Sequence, residues 1–374
     1  MKHVCVYNPS WHSLGGGEKY ILTIAEYLAR NPAQTIRILT GDRTLTSERI
    51  YAAFNIRIDR AQLSFVTPYQ AKRALASADL SIVVSNFVPY GLGARKNILI
   101  LQIPYGPITA TTIARRCLRG QFREATKDML RLRLLADARH ADLVLVYSEF
   151  VRSVLEHNHR VSATVLAPAI DDFAGAATRQ RVILSVGRIF RGRYNDKRYD
   201  VLVEGFKYLC DRIGGHSWEY RIVGNCGNDA DSASYLEALR SQAAGYPIRF
   251  HVNTPYAELT RHYNEASIFW HGAGYGVDMD REPERAEHFG MTTVEAMSAG
   301  CVPIVINNGG QKEIVRHGES GFLWSTLDEL ANLTALLINN PTQLARLQTA
   351  ARTRFLEFDR RHFEERLALL LRRM

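Results

Sequence analysis

The sequence predicts an α/β protein built as two doubly wound domains in tandem, and three observations predict it. Short apolar runs alternate with longer amphipathic stretches, the signature of βαβ units and parallel sheets. The rhythm breaks once, at a small, polar stretch containing Gly and Pro, and then restarts. The chain has 374 residues, more than one hydrophobic core usually organises.

In the first half the apolar runs place strands at 3–8, 36–40, 80–85, 98–102, 143–147 and 164–167. A helix is expected from after Gly17 to about Arg30, where Asn31-Pro32 stops it. Residues 168–180 read as the interdomain linker. In the second half strands are expected at 182–186, 219–223, 248–251, 268–271 and 302–306. Helices are expected at 198–212, 232–243, 292–299 and 328–339. The segment 341–373 reads as helix rich in Arg and Leu. The domains are accordingly placed at 1–168 and 181–350, with 351–374 a helical segment packing back on the first domain. Two such sheets leave a central cleft, and ligands of open α/β sheets bind beyond the carboxyl ends of the strands.

Hydrophobic residues make up 46% and charged residues 23%, an ordinary globular composition that argues against disorder. The opening MKHVCVYNPSWHS carries no apolar leader, and no run is long enough for a membrane-spanning helix. Cys5, Cys117, Cys210, Cys226 and Cys301 are scattered, odd in number and without CxxC spacing, which predicts reduced thiols in a cytoplasmic protein and argues against a disulfide frame or zinc site. The net charge of +9 is uneven. Residues 1–178 hold 22 Lys and Arg against 14 Asp and Glu, a net +8, and the remainder holds 25 against 24, a net +1. That asymmetry points to a polyanionic partner of the first half.

Three constellations carry chemistry. Gly15, Gly16 and Gly17 follow the first strand and open a helix, so the backbone can approach a ligand and the helix N-terminus offers N–H groups to an anion. The pattern is not GxGxxG, which argues against a nicotinamide cofactor. Ser185-Val186-Gly187-Arg188, followed by Lys197, puts cations beyond a buried strand, as a diphosphate requires, with Arg191 and Arg193 as substitutes. In EHFGMTTVEAMSAGCVP, Glu287 and Glu295 stand eight positions apart around Phe289-Gly290 and a helix start. Met291 and Thr292 would present helix-terminal N–H groups to a phosphate, and Glu295 would accept from a ribose diol.

In this order, the glycine loop, the Gly187-Arg188 and Lys197 segment and the Glu287/Glu295 motif resemble the family 4 retaining glycosyltransferases over essentially the whole chain. The look is shared by mannosyltransferases of lipid-linked oligosaccharides and by bacterial surface-polysaccharide enzymes, including those of lipopolysaccharide biosynthesis. The resemblance implies the GT-B fold: Rossmann-like acceptor and donor domains facing a central cleft. It implies Arg188, Lys197 and Glu287 as the catalytic set. Gly16, Gly17, Phe289, Gly290, Met291, Thr292 and Glu295 join them in holding the donor. The implied reaction moves a hexose from a nucleotide diphosphate sugar, GDP-mannose by resemblance, to a lipid-linked or growing glycan. No cofactor and no metal are expected. Two departures stand out: Lys197 follows Arg188 at nine positions, longer than the common family spacing, and Gln102 stands where many relatives have histidine.

Asp278 and Asp280 form a DxD, a metal motif of another glycosyltransferase fold. Since Arg and Lys already supply the phosphate countercharge, no metal is assigned to it. His12, His251 and His271 are isolated in sequence. His271 is placed near a strand end and His251 is read as structural, while Phe269 and Trp270 are read as core. The stretch 113–139 carries eight basic residues against three acids, interleaved with Leu, Met and Phe. It reads as a basic amphipathic helix for an anionic membrane, at the inner face of the plasma membrane. Nucleic acid is excluded because no binding motif accompanies the charge. Two rivals remain. A nucleotide-sugar epimerase or hydrolase would release an epimer or free sugar, and a non-catalytic nucleotide-sugar-binding module would bind donor without turnover.

Overall fold

The computed structural model describes the chain apart from residues 1, 10, 12, 13, 89–91, 193, 195 and 216. His12 and Arg193 therefore lie outside the described residues. The chain divides into two compact units, 1–169 with 363–374, and 170–362.

The first unit contains β1 (His3–Tyr7), α1 (Gly16–Ala29), β2 (Thr35–Thr40), α2 (Ser47–Phe54), β3 (Ala61–Phe65), α3 (Pro68–Ala76), β4 (Leu80–Val84) and β5 (Lys96–Ile100). It continues with α4 (Ala110–Leu118), α5 (Phe122–Ala138), β6 (Leu143–Val146), α6 (Glu149–His159) and β7 (Thr164–Val165). Among the described residues these strands form one parallel sheet in the order β3-β2-β1-β4-β5-β6-β7. Every residue of β4 is buried, as expected of a strand covered on both faces.

The second unit contains β8 (Val182–Val186), α7 (Tyr199–Ile213), β9 (Glu219–Gly224), α8 (Ala230–Gln242), β10 (Ile248–Val252), α9 (Tyr256–Glu265), β11 (Ile268–His271) and α10 (Met291–Ser298). After these come β12 (Val302–Ile306), α11 (Gln311–Ile314), β13 (Phe322–Trp324), α12 (Leu327–Asn339) and α13 (Pro341–Phe355). The sheet is parallel, in the order β10-β9-β8-β11-β12-β13. Its core is aromatic: Trp270 lies against Phe206 and Tyr220, with Trp324 also fully buried. Phe269 and Trp270 are thus core, as expected, and the indole N–H of Trp270 donates to Thr334 Oγ1 at 3.1 Å.

Three sequence expectations change. The basic stretch is two helices, not one. Gly120 adopts φ +70° after α4, and backbone bonds from Gly120 to Cys117 and from Gln121 to Arg116 close the helix end. The C-terminal stretch breaks after α13, because Asp359 accepts from the N–H of His362 at 2.8 Å and starts α14 (Arg360–Arg372). From residue 363 onward α14 belongs to the first unit, with Phe363 edge-on to Tyr20 and Glu364 paired with Arg30. The expected linker is no free connector. From Ile170 it is fastened to the second unit: Phe173 N–H donates to Ser298 Oγ at 3.0 Å, Gly175 N–H donates to Asn264 at 2.7 Å, and the Phe173 ring is buried. Strand β3 escapes the sequence reading because AQLSF is a half-exposed edge strand without strong apolar alternation.

Candidate functional site

In each sheet the strand order reverses at one place, between β1 and β4 in the first unit and between β8 and β11 in the second. In doubly wound sheets such switch points open a ligand crevice beyond the carboxyl ends of the strands. The three motifs sort onto these ends. Gly16 and Gly17 belong to the first unit, and the other eight candidate residues belong to the second.

In the first unit, Gly15 is the N-cap of α1, and Glu18 reaches back to accept from its N–H at 3.0 Å. The helix starts at Gly16, two residues before the expected first residue, Glu18. A Cβ on Gly17 would stand 2.7 Å from Gln102 Nε2, so any side chain here would have to displace the Gln102 amide. Gln102 is fixed in turn: Nε2 donates to the Tyr147 hydroxyl at 2.5 Å, and Oε1 accepts from Asn86 at 3.0 Å. Burial pushes the Tyr147 phenol well up. Gln102 is thus a polar prop under the glycine turn, and an amide there has no titration in the physiological range.

In the second unit, Lys197 lies beside Glu287, its ammonium in contact with Oε2, and His271 Nε2 is 3.1 Å from the same oxygen. Side-chain exposures are 14% for Lys197, 10% for Glu287 and 2% for His271. Burial pushes the Glu287 carboxyl up, but the Lys197 charge and the His271 contact outweigh it and hold it well below the usual carboxylate range. Burial drives the His271 imidazole down, against the Glu287 hydrogen bond, and Lys197 adds to the fall. His271 Nδ1 has no partner among the described residues. Arg191, the substitute cation, is instead drawn to Asp200 at 3.4 Å. Arg188 follows β8 directly, is exposed, and holds its guanidinium 5.2 Å from the Phe190 ring centroid.

Gly290, with φ +124° and ψ 51°, caps α10, a conformation that only glycine adopts without strain. Its missing side chain leaves room for Gln311, whose Nε2 would be 2.8 Å from a Cβ there. The N–H groups of Met291 and Thr292 find no backbone acceptor among the described residues, so the helix start presents donors to an anion. One turn on, half-buried Glu295 accepts from the Tyr263 hydroxyl at 2.8 Å. Phe289 turns its ring into the core, edge-on to Phe358, so what it can offer a ligand is backbone.

The sequence reading left out the loop that supports this one. Gly309 (φ +56°) and Gly310 lie against the 287–289 backbone, where a Cβ would be 2.4 Å from Glu287 O and 2.6 Å from Phe289 O. Gly310 N–H donates to Glu287 O at 2.9 Å. Buried Gln311 and the Thr293 hydroxyl have unpartnered polar atoms among the described residues. The Gly309-Gly310 pair right after an apolar strand was the available signal, the same device as residues 15–17. His271 was noticed but not joined to Glu287, because sixteen residues separate them. Asp278, by contrast, is consumed locally: it accepts from the N–H groups of Asp280 and Arg281 at 3.1 and 3.3 Å, shaping an exposed turn.

The family model for the glycosyl transferases of group 1 matches residues 168–354. A GDP-Man:Man(3)GlcNAc(2)-PP-Dol alpha-1,2-mannosyltransferase of Xenopus laevis is 34% identical over 150 residues, covering 38% of this chain and 28% of that protein. The alpha-1,3/1,6-mannosyltransferase ALG2 of Dictyostelium discoideum is 45% identical over 56 residues, covering 15% and 13%. The curated relatives are thus matched over 13% to 37% of their length. Among solved structures, HepE of Anabaena in complex with UDP and glucose has a TM-score of 0.69 at 15% identity, with both chains fully covered. WaaG, a glycosyltransferase involved in lipopolysaccharide biosynthesis, has 0.66 at 13%, covering 98% of each chain. These likenesses establish the fold, two Rossmann-like α/β units of the GT-B type.

Proposed function

Because the chain belongs to the glycosyl transferases of group 1, we propose that it is a retaining hexosyltransferase. It takes mannose from GDP-mannose and passes it to a lipid-linked or growing glycan. The observation that carries this reading is the second unit's switch point, where Lys197, Glu287 and His271 meet. The same unit supplies Arg188 beyond β8 and the open N-terminus of α10. Arg188, Lys197 and the α10 N–H groups supply positive potential for a diphosphate, which strengthens as charge grows on the leaving group. Glu295 keeps a carboxylate for a ribose diol, and Glu287 orients Lys197. The names of the curated relatives support GDP-mannose and a lipid-linked acceptor.

We also propose that the first unit docks on an anionic membrane surface. Among the described residues no helix is long and apolar enough to cross a membrane. The corner between α4 and α5 exposes Leu118 (87%) and Phe122 (65%) beside exposed Arg115, Arg119 and Arg123. Arg116 and Arg131 are excluded from that surface because both pair with buried Asp128, at 2.6 and 2.8 Å.

The test is transfer from labelled GDP-mannose to a synthetic lipid-linked oligosaccharide, with the product anomer read by NMR. A new α-mannoside is expected. Release of free mannose alone, or donor binding without turnover, would overturn the reading in favour of a hydrolase or a binding module.

A further inference from the structure

At the far edge of the second unit's sheet, two imidazoles and a carboxylate converge. His251 lies in edge strand β10, and Glu258 and His262 lie one turn apart on α9. One donor atom from each lies within 4.8 Å of the other two. The imidazole centroids are 4.3 Å apart, and His262 Nε2 is 4.0 Å from Glu258 Oε1. His262 is 1% exposed, yet among the described residues neither of its ring nitrogens has a hydrogen-bond partner, and neither has His251 Nε2. Buried polar atoms ordinarily find partners, since an unmade hydrogen bond costs about 1–3 kcal/mol. Three unpartnered ring nitrogens at one place call for an unseen ligand.

We propose that His251, Glu258 and His262 bind one divalent transition metal ion, zinc by its chemistry, as a structural clip between β10 and α9. Two imidazoles and a carboxylate are a zinc ligand set, and a solvent molecule completes the tetrahedron on the half-exposed Glu258 side. Tetrahedral donors at zinc distances lie about 3.3 Å apart. The donors lie within 4.8 Å of one another, and the partly exposed Glu258 chain can swing to shorten its 4.0 Å separation from His262.

The charged surroundings permit it. Arg221 is matched by Glu219 and by Glu265 at 2.5 Å, and Arg249 by Glu219 at 2.9 Å. Arg261 holds Glu258 at 3.5 Å but has Glu265 at 3.9 Å as an alternative. A neutral imidazole has a lone pair for a metal, and burial disfavours the charged form of both rings. Burial pushes His262 down to about 4, helped by His251, Arg221 and Arg261, and burial with Arg221 lowers His251. His262 also precedes Tyr263, the donor to Glu295, so a clip here steadies the helix that supports the proposed ribose site.

The test uses tag-free full-length protein titrated with Co2+ and then Zn2+. The expected result is one ion per chain, visible absorption of tetrahedral cobalt without thiolate charge transfer, displacement by Zn2+, and a Zn2+-dependent rise in the thermal midpoint. His251→Gln and Glu258→Gln, at the less buried positions, should fold. Each should weaken binding by more than the roughly 10–100-fold that outer-shell changes bring, while GDP affinity measured without metal is unchanged. No binding by the wild type, or wild-type affinity in both variants, overturns the proposal. Binding with thiolate absorption overturns it in favour of a cysteine site.

Discussion

Lys197→Met tests whether the second unit's switch point is organised around one buried ion pair. The pair is mostly desolvated, with side-chain exposures of 14% and 10%. Removing one partner of such a pair leaves an uncompensated charge and costs about 3–5 kcal/mol. Glu287→Gln removes the other, and the double variant removes both charges. The double variant should therefore be more stable than the sum of the single costs predicts, by about 1–3 kcal/mol of coupling. The pH dependence has a definite sign. In the wild type, Glu287 titrates below its unfolded value, so its stabilisation is present above the ordinary carboxylate range and is lost only as pH falls through the depressed value. Without Lys197, burial, the largest single influence on Glu287, is opposed only by His271, and the carboxyl is expected to rise above its unfolded value. The variant then loses stability as pH rises through that window, and its deficit is larger at pH 7 than at pH 5. Urea denaturation of the four proteins at both pH values measures this. Additive costs, or a deficit independent of pH, would show that Lys197 and Glu287 are not coupled as the geometry requires.

Glu295→Ala should weaken GDP binding by about 1.5–3 kcal/mol, roughly ten- to a hundred-fold, whereas Tyr263→Phe, which keeps the carboxylate, should weaken it much less; calorimetry separates them, and equal losses would make Glu295 a partner of Tyr263 only. Arg188→Ala should lower turnover on the order of a hundredfold with little loss of affinity for the bare nucleoside, and a normal turnover number would remove Arg188 from the mechanism. Asp278→Asn with Asp280→Asn should leave turnover intact, because Asp278 is occupied in shaping its own turn; loss of activity restored by added metal would make the pair metal ligands. Replacing Arg115, Arg119 and Arg123 by Ser should abolish flotation with anionic liposomes at low salt, since each basic residue near such a surface contributes on the order of 1 kcal/mol. Wild-type protein that ignores anionic vesicles refutes membrane docking.

What was legible in the sequence was what repeats or punctuates. Strands buried on both faces, such as 182–186 and 302–306, appear as apolar runs at their observed bounds. Glycine turns mark where helices begin, because Gly290 adopts a backbone geometry that a side chain would oppose. Two of the four edge strands were missed for the converse reason: β3 and three-residue β13 have little buried pattern to display. The same limit explains the fused helices, since amphipathic periodicity continues across Gly120 and across Asp359 while the backbone turns. Side-chain meetings were the least legible. Lys197, His271 and Glu287 come from three separate loops and strand ends, and nothing local in any of them specifies the others.

The two glutamates of the motif are alike in sequence and opposite in physics, and the difference divides their work. Glu287 is buried against the Lys197 ammonium and the His271 imidazole, which outweigh its burial and hold its carboxyl well below the usual carboxylate range. A carboxylate so stabilised is a weak base, because proton transfer is efficient only when the acceptor's pKa lies near the operating pH. It therefore acts through charge and position, fixing the Lys197 ammonium beside β11. Glu295 is half-buried on the first helical turns of α10 and accepts a hydrogen bond from the Tyr263 hydroxyl. An ionised carboxylate offers about four acceptor sites, which is the chemistry the proposed ribose contact uses. Neither residue is placed as a general base. On the proposed reading, rate enhancement comes from stabilising the departing diphosphate by Arg188, Lys197 and the α10 N-terminus rather than from a general base at Glu287.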